Sequence, residues 1–164
     1  RYLEDTVWCN DRNIVSGSLI GKDMDAGTSY TNFGAYVRNV VNSSPSLECP
    51  NRNDSFTVNS ENRNGALTYP VAMLTADEAT LAGHGYSGYS NNSYLFTGES
   101  YWLLSPRYYD SYRTSTFCIN TLGRLLASAS VYDNGVRPSI SLAPGMMVST
   151  GDGSSTSPYE VFTD

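Results

Sequence analysis

His84 is the only histidine in the chain, and it stands between Gly83 and Gly85. Imidazole titrates near neutral pH and is the commonest general base, but it needs a second group to orient it or to take up its proton. The carboxylates nearest in sequence, Asp77 and Glu78, are adjacent, and adjacent helical residues point in different directions, so they suit a capping role better than an acid–base pair. Asp23 with Asp25, and Asp152 between two glycines, lack the spaced oxygen donors and closing bidentate glutamate of a calcium loop. Cys9, Cys49 and Cys118 show no C-x-x-C spacing, which argues against a zinc or dithiol redox site. No glycine-rich stretch joins a strand to a helix with phosphate-binding spacing. The residue inventory therefore calls for no cofactor and no metal, and it favours binding over turnover.

The positive signal lies between Pro106 and Gly135. Arg107, Tyr108, Tyr109, Asp110, Tyr112 and Arg113 form a dense run, followed by Phe117, Arg124, Tyr132 and Asp133, and these ten are the candidate ligand-binding residues. Tyrosine and arginine give large contact area with a polar handle, while serine, asparagine and glycine adapt locally, the mixture used by antibody loops. Tyr108, Tyr109, Tyr112, Arg113, Phe117, Arg124 and Tyr132 are expected on one exposed face, although alternation can instead turn Phe117 inward beside Ile119.

The elements that must carry this face can be read from period and punctuation. Tyr101-Trp102-Leu103-Leu104-Ser105 is an apolar run stopped by Pro106, and residues 107–113 have neither helical nor strand period, so a loop is expected there. Phe117 and Ile119 alternate with polar neighbours, as do Ala127, Ala129 and Val131, which predicts two half-buried strands with turns at Gly123 and Asp133-Asn134-Gly135. A further strand over 135–142 would place Val136, Pro138, Ile140 and Leu142 on one face. Upstream, residues 65–74 read as a strand interrupted near Pro70. Thr75-Ala76-Asp77-Glu78 has the form of a reciprocal helix cap and predicts a short helix from Ala76 to about Ala82, ended by Gly83. Phe33, Tyr36, Val37, Val40 and Val41 recur at near-helical intervals. Residues 10–64 are otherwise polar and turn-rich, and Ser157 to Phe162 suggests a terminal strand.

At 164 residues the chain suits one domain, residues 1–164. The net charge is −6 and Lys22 is the only lysine, so no basic stripe exists to displace counterions from a nucleic-acid backbone, and nucleic acid is not an expected partner. A surface of Ser, Asn, Gly and Tyr is that of a secreted or cell-surface protein. Cys9 and Cys49 flank a loop-like stretch that a disulfide would close, which leaves Cys118 as a free thiol. Sequons at Asn42, Asn53 and Asn91 would matter only in a glycosylating host.

Several motifs together resemble a known family. Tyr101-Trp102-x-x-Ser105-Pro106, Leu122-Gly123-Arg124-Leu125 and Gly135-Val136-Arg137-Pro138-x-Ile140-x-Leu142 resemble the C-terminal module of bacterial surface proteins related to the C-type lectin-like fold. The stretches at 2–11, 49–58, 67–78 and 151–159 look like the head domain of gut-bacterial type IV pilin-like proteins. The resemblance implies an α+β, C-type lectin-like fold with a short antiparallel or mixed sheet, few helices and much irregular loop. It also implies that residues 1–8 are the end of a pilin-like N-terminal helix, the only route to a membrane. The chain lacks the Glu-Pro-Asn or Gln-Pro-Asp triplet of calcium-dependent lectins, which argues against calcium and monosaccharide binding. Some relatives of this architecture are variable proteins of diversity-generating retroelements, whose adenine-directed mutagenesis cannot yield Lys, Gln, Glu, Met or Trp at its target codons. Residues 107–135 contain none of these. The expected function is an extracellular recognition or adhesion head for an unknown protein or glycan ligand, with other pilin subunits as further partners. A structural pilin whose face packs against the next subunit, and a hydrolase without a recognisable constellation, are the alternatives.

Overall fold

The computed structural model describes residues 2–15, 20–22, 29–59, 64–86, 88, 92–110, 112–154 and 156–162; Asp23, Asp25 and Asn91 lie outside them. The strands are β1 (Trp8–Cys9), β2 (Ile20–Lys22), β3 (Ser29–Asn32), β4 (Ser55–Thr57), β5 (Gly65–Ala66), β6 (Val71–Met73), β7 (Tyr101–Asp110), β8 (Thr114–Ile119), β9 (Leu125–Ala129), β10 (Pro138–Ile140), β11 (Met147–Thr150) and β12 (Glu160–Phe162). Among the described residues, helix is limited to α1 (Gly34–Tyr36), which runs into a π turn at Val37–Val41, a 3-10 turn at Arg52–Asp54, and α2 (Ala76–Leu81).

This architecture corrects the α+β, C-type lectin-like expectation. The described residues are mostly β with little helix, in several small sheets and one larger sheet curled as a half-barrel. The larger sheet has the order β2-β3-β7-β8-β9, and the small ones are β1-β4-β5, β10-β6 and β11-β12. Ser-, Asn- and Gly-rich segments are poor helix formers, so the helices that cover the larger sheet are short. Residues 2–8 are not helical either: Leu3 bridges Leu142 and Trp8 belongs to β1, where the pilin-like reading expected the end of a helix.

The antiparallel β7-β8-β9 meander forms as its alternation predicts. Tyr101 and Leu125 both pair with Ile119, and Phe117 pairs with Ala127, so these side chains share the concave face. That face closes on α1 and α2: Ala35, Ala76, Ala79, Tyr101, Leu103, Phe117, Ile119 and Leu125 make one buried cluster. Alanines on the helices let the short elements lie close to the sheet, and the Ser105 hydroxyl accepts from the Ala76 amide at 2.9 Å. The expected break at Pro106 does not occur. β7 continues through it to Asp110, with register shifts on both sides of Pro106, as a bulge absorbs a residue that cannot donate to the ladder. The expected fourth strand of the meander leaves the sheet; its centre, β10, pairs with β6 instead. Arg137 holds this departing segment by donating to the Leu95 carbonyl and covering the Tyr101 ring.

The reciprocal cap of α2 forms as expected: the Thr75 hydroxyl accepts from the Glu78 amide at 3.1 Å, and the Glu78 carboxylate accepts from the Thr75 amide at 2.7 Å. Gly83 follows at φ 99°, the left-handed conformation that ends such a helix without a Cβ clash. Cys9 and Cys49 are bridged, and Cys118 is a buried free thiol whose pKa burial pushes up to about 11. A disulfide is compatible with an oxidising compartment. Among the described residues, no helix is long and apolar enough to cross a membrane.

Two outcomes are expected. Thr75→Ala costs about 1 kcal/mol in urea melts, because it removes one half of the reciprocal cap; an unchanged midpoint contradicts the capping account. Alkylation of the native protein near neutral pH leaves Cys118 unmodified, and the same reaction in denaturant without reductant labels one cysteine. Labelling of three cysteines under those conditions would show that the disulfide is absent.

Candidate functional site

The end of the large sheet where β7 turns into β8 gathers part of the tyrosine- and arginine-rich run. Tyr109 pairs with Thr31 on one side and Thr114 on the other, and the Ser130 amide donates to the Thr114 carbonyl, so four backbone segments lie side by side in one row. Tyr112 sits in the turn beyond that row and is 87% exposed; Tyr132, in the turn after β9, is 60% exposed, and Tyr109 is 48% exposed. Asp133 is also exposed.

Asp110 shapes the β7–β8 turn. Its carboxylate accepts from the Tyr112 amide at 3.0 Å and the Arg113 amide at 2.8 Å, and its other oxygen accepts from Arg113 Nε at 3.4 Å. These donors hold its pKa below the ordinary carboxylate value, the Tyr112 amide having the largest effect. The ion pair with Arg113 is exposed and adds little stability. Its consequence is geometric: the turn holds Tyr112 outward on a defined backbone.

Arg107 and Tyr108 turn the other way and brace this end from behind. Arg107 Nη1 donates to Asn32 Oδ1 at 2.7 Å, and its guanidinium carbon lies 3.9 Å from the Tyr36 ring centre and 4.8 Å from that of Tyr108. The planar cation stacked on Tyr36 joins β7 to α1, so both residues are half-buried supports rather than members of the exposed set.

Two further candidates are corrected. Phe117 is fully buried in the core, because its register partner Ala127 shares the concave face. Arg124 lies in the turn at the opposite end of β8, separated from the tyrosine end by the strand's six residues, or roughly 20 Å. The structure thus brings together Tyr109, Asp110, Tyr112, Arg113 and Tyr132, and it separates Arg107, Tyr108, Phe117 and Arg124 from them; Asp133 is exposed where the chain turns back toward Gly135, which bridges Tyr101.

His84 is fully buried, and its Nδ1 lies 2.7 Å from the Gly123 carbonyl, fastening the β8–β9 turn to the end of α2. Among the described residues, no three His, Cys, Asp or Glu side chains stand together as a metal site requires. A cavity of about 210 Å³ beside the Cys9–Cys49 bridge is lined in part by Asp11, Arg38, Asp77 and Glu78. Arg38 spans the two aspartates, with Nη1 2.6 Å from Asp11 and Nε and Nη2 at 2.8 and 2.9 Å from Asp77. Hydrogen bonding to Asp77, more than to Asp11, raises the Arg38 pKa against the opposing effect of burial, so the group stays charged.

Sequence reasoning missed Tyr36 and Asn32 as supports, since nothing local ties them to Arg107, 75 residues from Asn32. It also missed a second, apolar cavity between the small sheets, for which the alternation of Val136, Pro138 and Ile140 was the available signal.

No family model, curated protein or solved structure matches the chain.

The lowered pKa of Asp110 has a defined pH consequence. Its hydrogen bonds to the turn are fully present above the ordinary carboxylate value, persist through that value, and are lost as pH falls through the lowered one. Amide chemical shifts of Tyr112 and Arg113 should therefore titrate below the normal aspartate range, and titration at the normal value contradicts the turn geometry.

Proposed function

We propose that this protein is an extracellular recognition domain that binds a protein or glycan ligand through Tyr109, Tyr112, Arg113 and Tyr132, with Asp110 fixing the turn between them. The observation that carries this reading is the exposure of three tyrosines at one end of a sheet whose supports are packed and hydrogen-bonded. Tyrosine presented on a rigid base loses little conformational entropy on binding and offers a ring with a polar tip, which suits a hot spot. The disulfide and the lysine-poor surface of serine, asparagine and glycine favour a location outside the cytoplasm.

Placement as the head of a bacterial pilin-like surface protein, with the face diversified by a retroelement, is part of the same proposal. It rests on the motif resemblance and on residues 107–135 containing only amino acids that adenine-directed mutagenesis can reach. A reverse-transcriptase gene beside this one, with a template repeat matching the 107–135 coding segment, is the expected genomic arrangement; a locus without either contradicts diversification.

Glycan arrays and arrays of extracellular proteins, probed with the wild-type protein and with a Tyr109→Ala/Tyr112→Ala variant, test the binding reading. The expected result is a defined ligand whose affinity falls by about 30-fold or more, equivalent to about 2 kcal/mol, at an unchanged melting temperature. Equal binding by the double variant contradicts it.

A further inference from the structure

An open apolar cavity of about 420 Å³ lies between the two small sheets β1-β4-β5 and β10-β6, with Leu104 of β7 among its lining residues. Trp8 and Phe56 are paired on one sheet, and Val71 and Met73 alternate onto the same face of the other. Val136, which also lines the cavity, is 70% exposed, and neighbouring Ile140 is 50% exposed.

A second apolar surface, without a packed partner element among the described residues, lies elsewhere in the chain. β11 and β12 form a two-stranded hairpin in which Met147 pairs with Phe162 and Val148 with Val161, and every residue of both strands is exposed. A lone two-stranded hairpin is marginal in water, and apolar side chains on both of its faces add cost until something covers them.

We propose that the protein associates head to tail with a second copy of itself, the β11–β12 hairpin of one molecule placing Met147 and Phe162 in the apolar cavity of the next. The Trp8 indole N–H is the one polar side-chain group of the cavity lining, and it is itself buried, whereas a small-molecule site orients its ligand with several such groups, so apolar side chains suit the cavity better. The connector before the hairpin is held to the N-terminal segment by Glu4 N to Ser141 O and Ala143 N to Tyr2 O hydrogen bonds, both 3.0 Å, and by the Leu3–Leu142 bridge. Because the two surfaces differ, each added molecule leaves one hairpin and one cavity free, and the assembly grows as a chain or closes as a ring. The association uses the end of β7 near Tyr101, where Gly135 bridges, and is independent of the tyrosine end.

Sedimentation velocity over a roughly hundredfold range of concentration tests this. The wild-type protein should sediment faster as concentration rises. Phe162→Asp and Val136→Asp, both at exposed positions and both with wild-type circular dichroism, should each remain monomeric. Their equimolar mixture should restore a species that stops at two molecules, since one partner supplies only a cavity and the other only a hairpin. A wild-type monomer at every concentration overturns the proposal. So does association that survives both substitutions, association lost only with Phe162→Asp, which would mean hairpin pairing with hairpin, or a mixture that stays monomeric.

Discussion

Arg38 ties together by charge three segments that lie far apart in the sequence. Asp11 follows β1, Arg38 lies in the π turn after α1, and Asp77 lies in the first turn of α2; the side chains of both aspartates are only 4% exposed. Two carboxylates removed from water are costly, and one guanidinium facing both, bidentate to Asp77, offsets that cost while supplying direction. Asp77 also accepts from the Ser46 amide at 3.0 Å, and Asp11 from Asn13 Nδ2 at 2.9 Å, so the remaining lone pairs are largely used. Gly34 leaves room for this contact: a Cβ there would stand 2.8 Å from Asp11 Oδ2 and 3.2 Å from Arg38 Nη1, so the two side-chain ends would have to shift. Through this network α1 and α2 sit at one spacing over the sheet, and their alanines can reach Leu103 and Phe117.

That placement carries forward to the candidate site. α1 presents Tyr36 to Arg107, and Arg107 in turn reaches Asn32 of β3, so the end of β7 is fixed on both its edges and from beneath. The exposed tyrosines are therefore offered by a braced sheet end rather than a free loop, and ligand contact need not first order the backbone. The β8–β9 turn at the far end is held by His84, which uses a residue type associated with catalysis as a buried strut.

Features decided within a few residues were legible in the sequence. Thr75 and Glu78 cap one another across three positions, and the alternation of β8 and β9 specified a meander, because these signals depend only on local spacing. Pro106 misled for the same reason. A local rule ends a strand at proline, but β8 and the bulges beside Pro106 carry β7 through it. Alternation placed Phe117 on one side of a strand without saying which side faces α2, and the length of β8, not its composition, takes Arg124 away from Tyr112. The fold class was misread because motif resemblance stood in for long-range pairing: Val136 to Leu142 has strand character, yet its partner is β6, some 65 residues earlier, and no local signal selects it.

The most direct test of the recognition account is the distribution of natural changes in this gene, read by sequencing it from many isolates of one strain. A face under selection for ligand choice should vary at Tyr109, Asp110, Tyr112, Arg113 and Tyr132 and spare Ser115, Phe117, Ile119 and Leu125, which interleave with them in sequence but are buried. Differences spread evenly over the chain, or falling in the buried positions as often as the exposed ones, would contradict a recognition role for this end of the sheet.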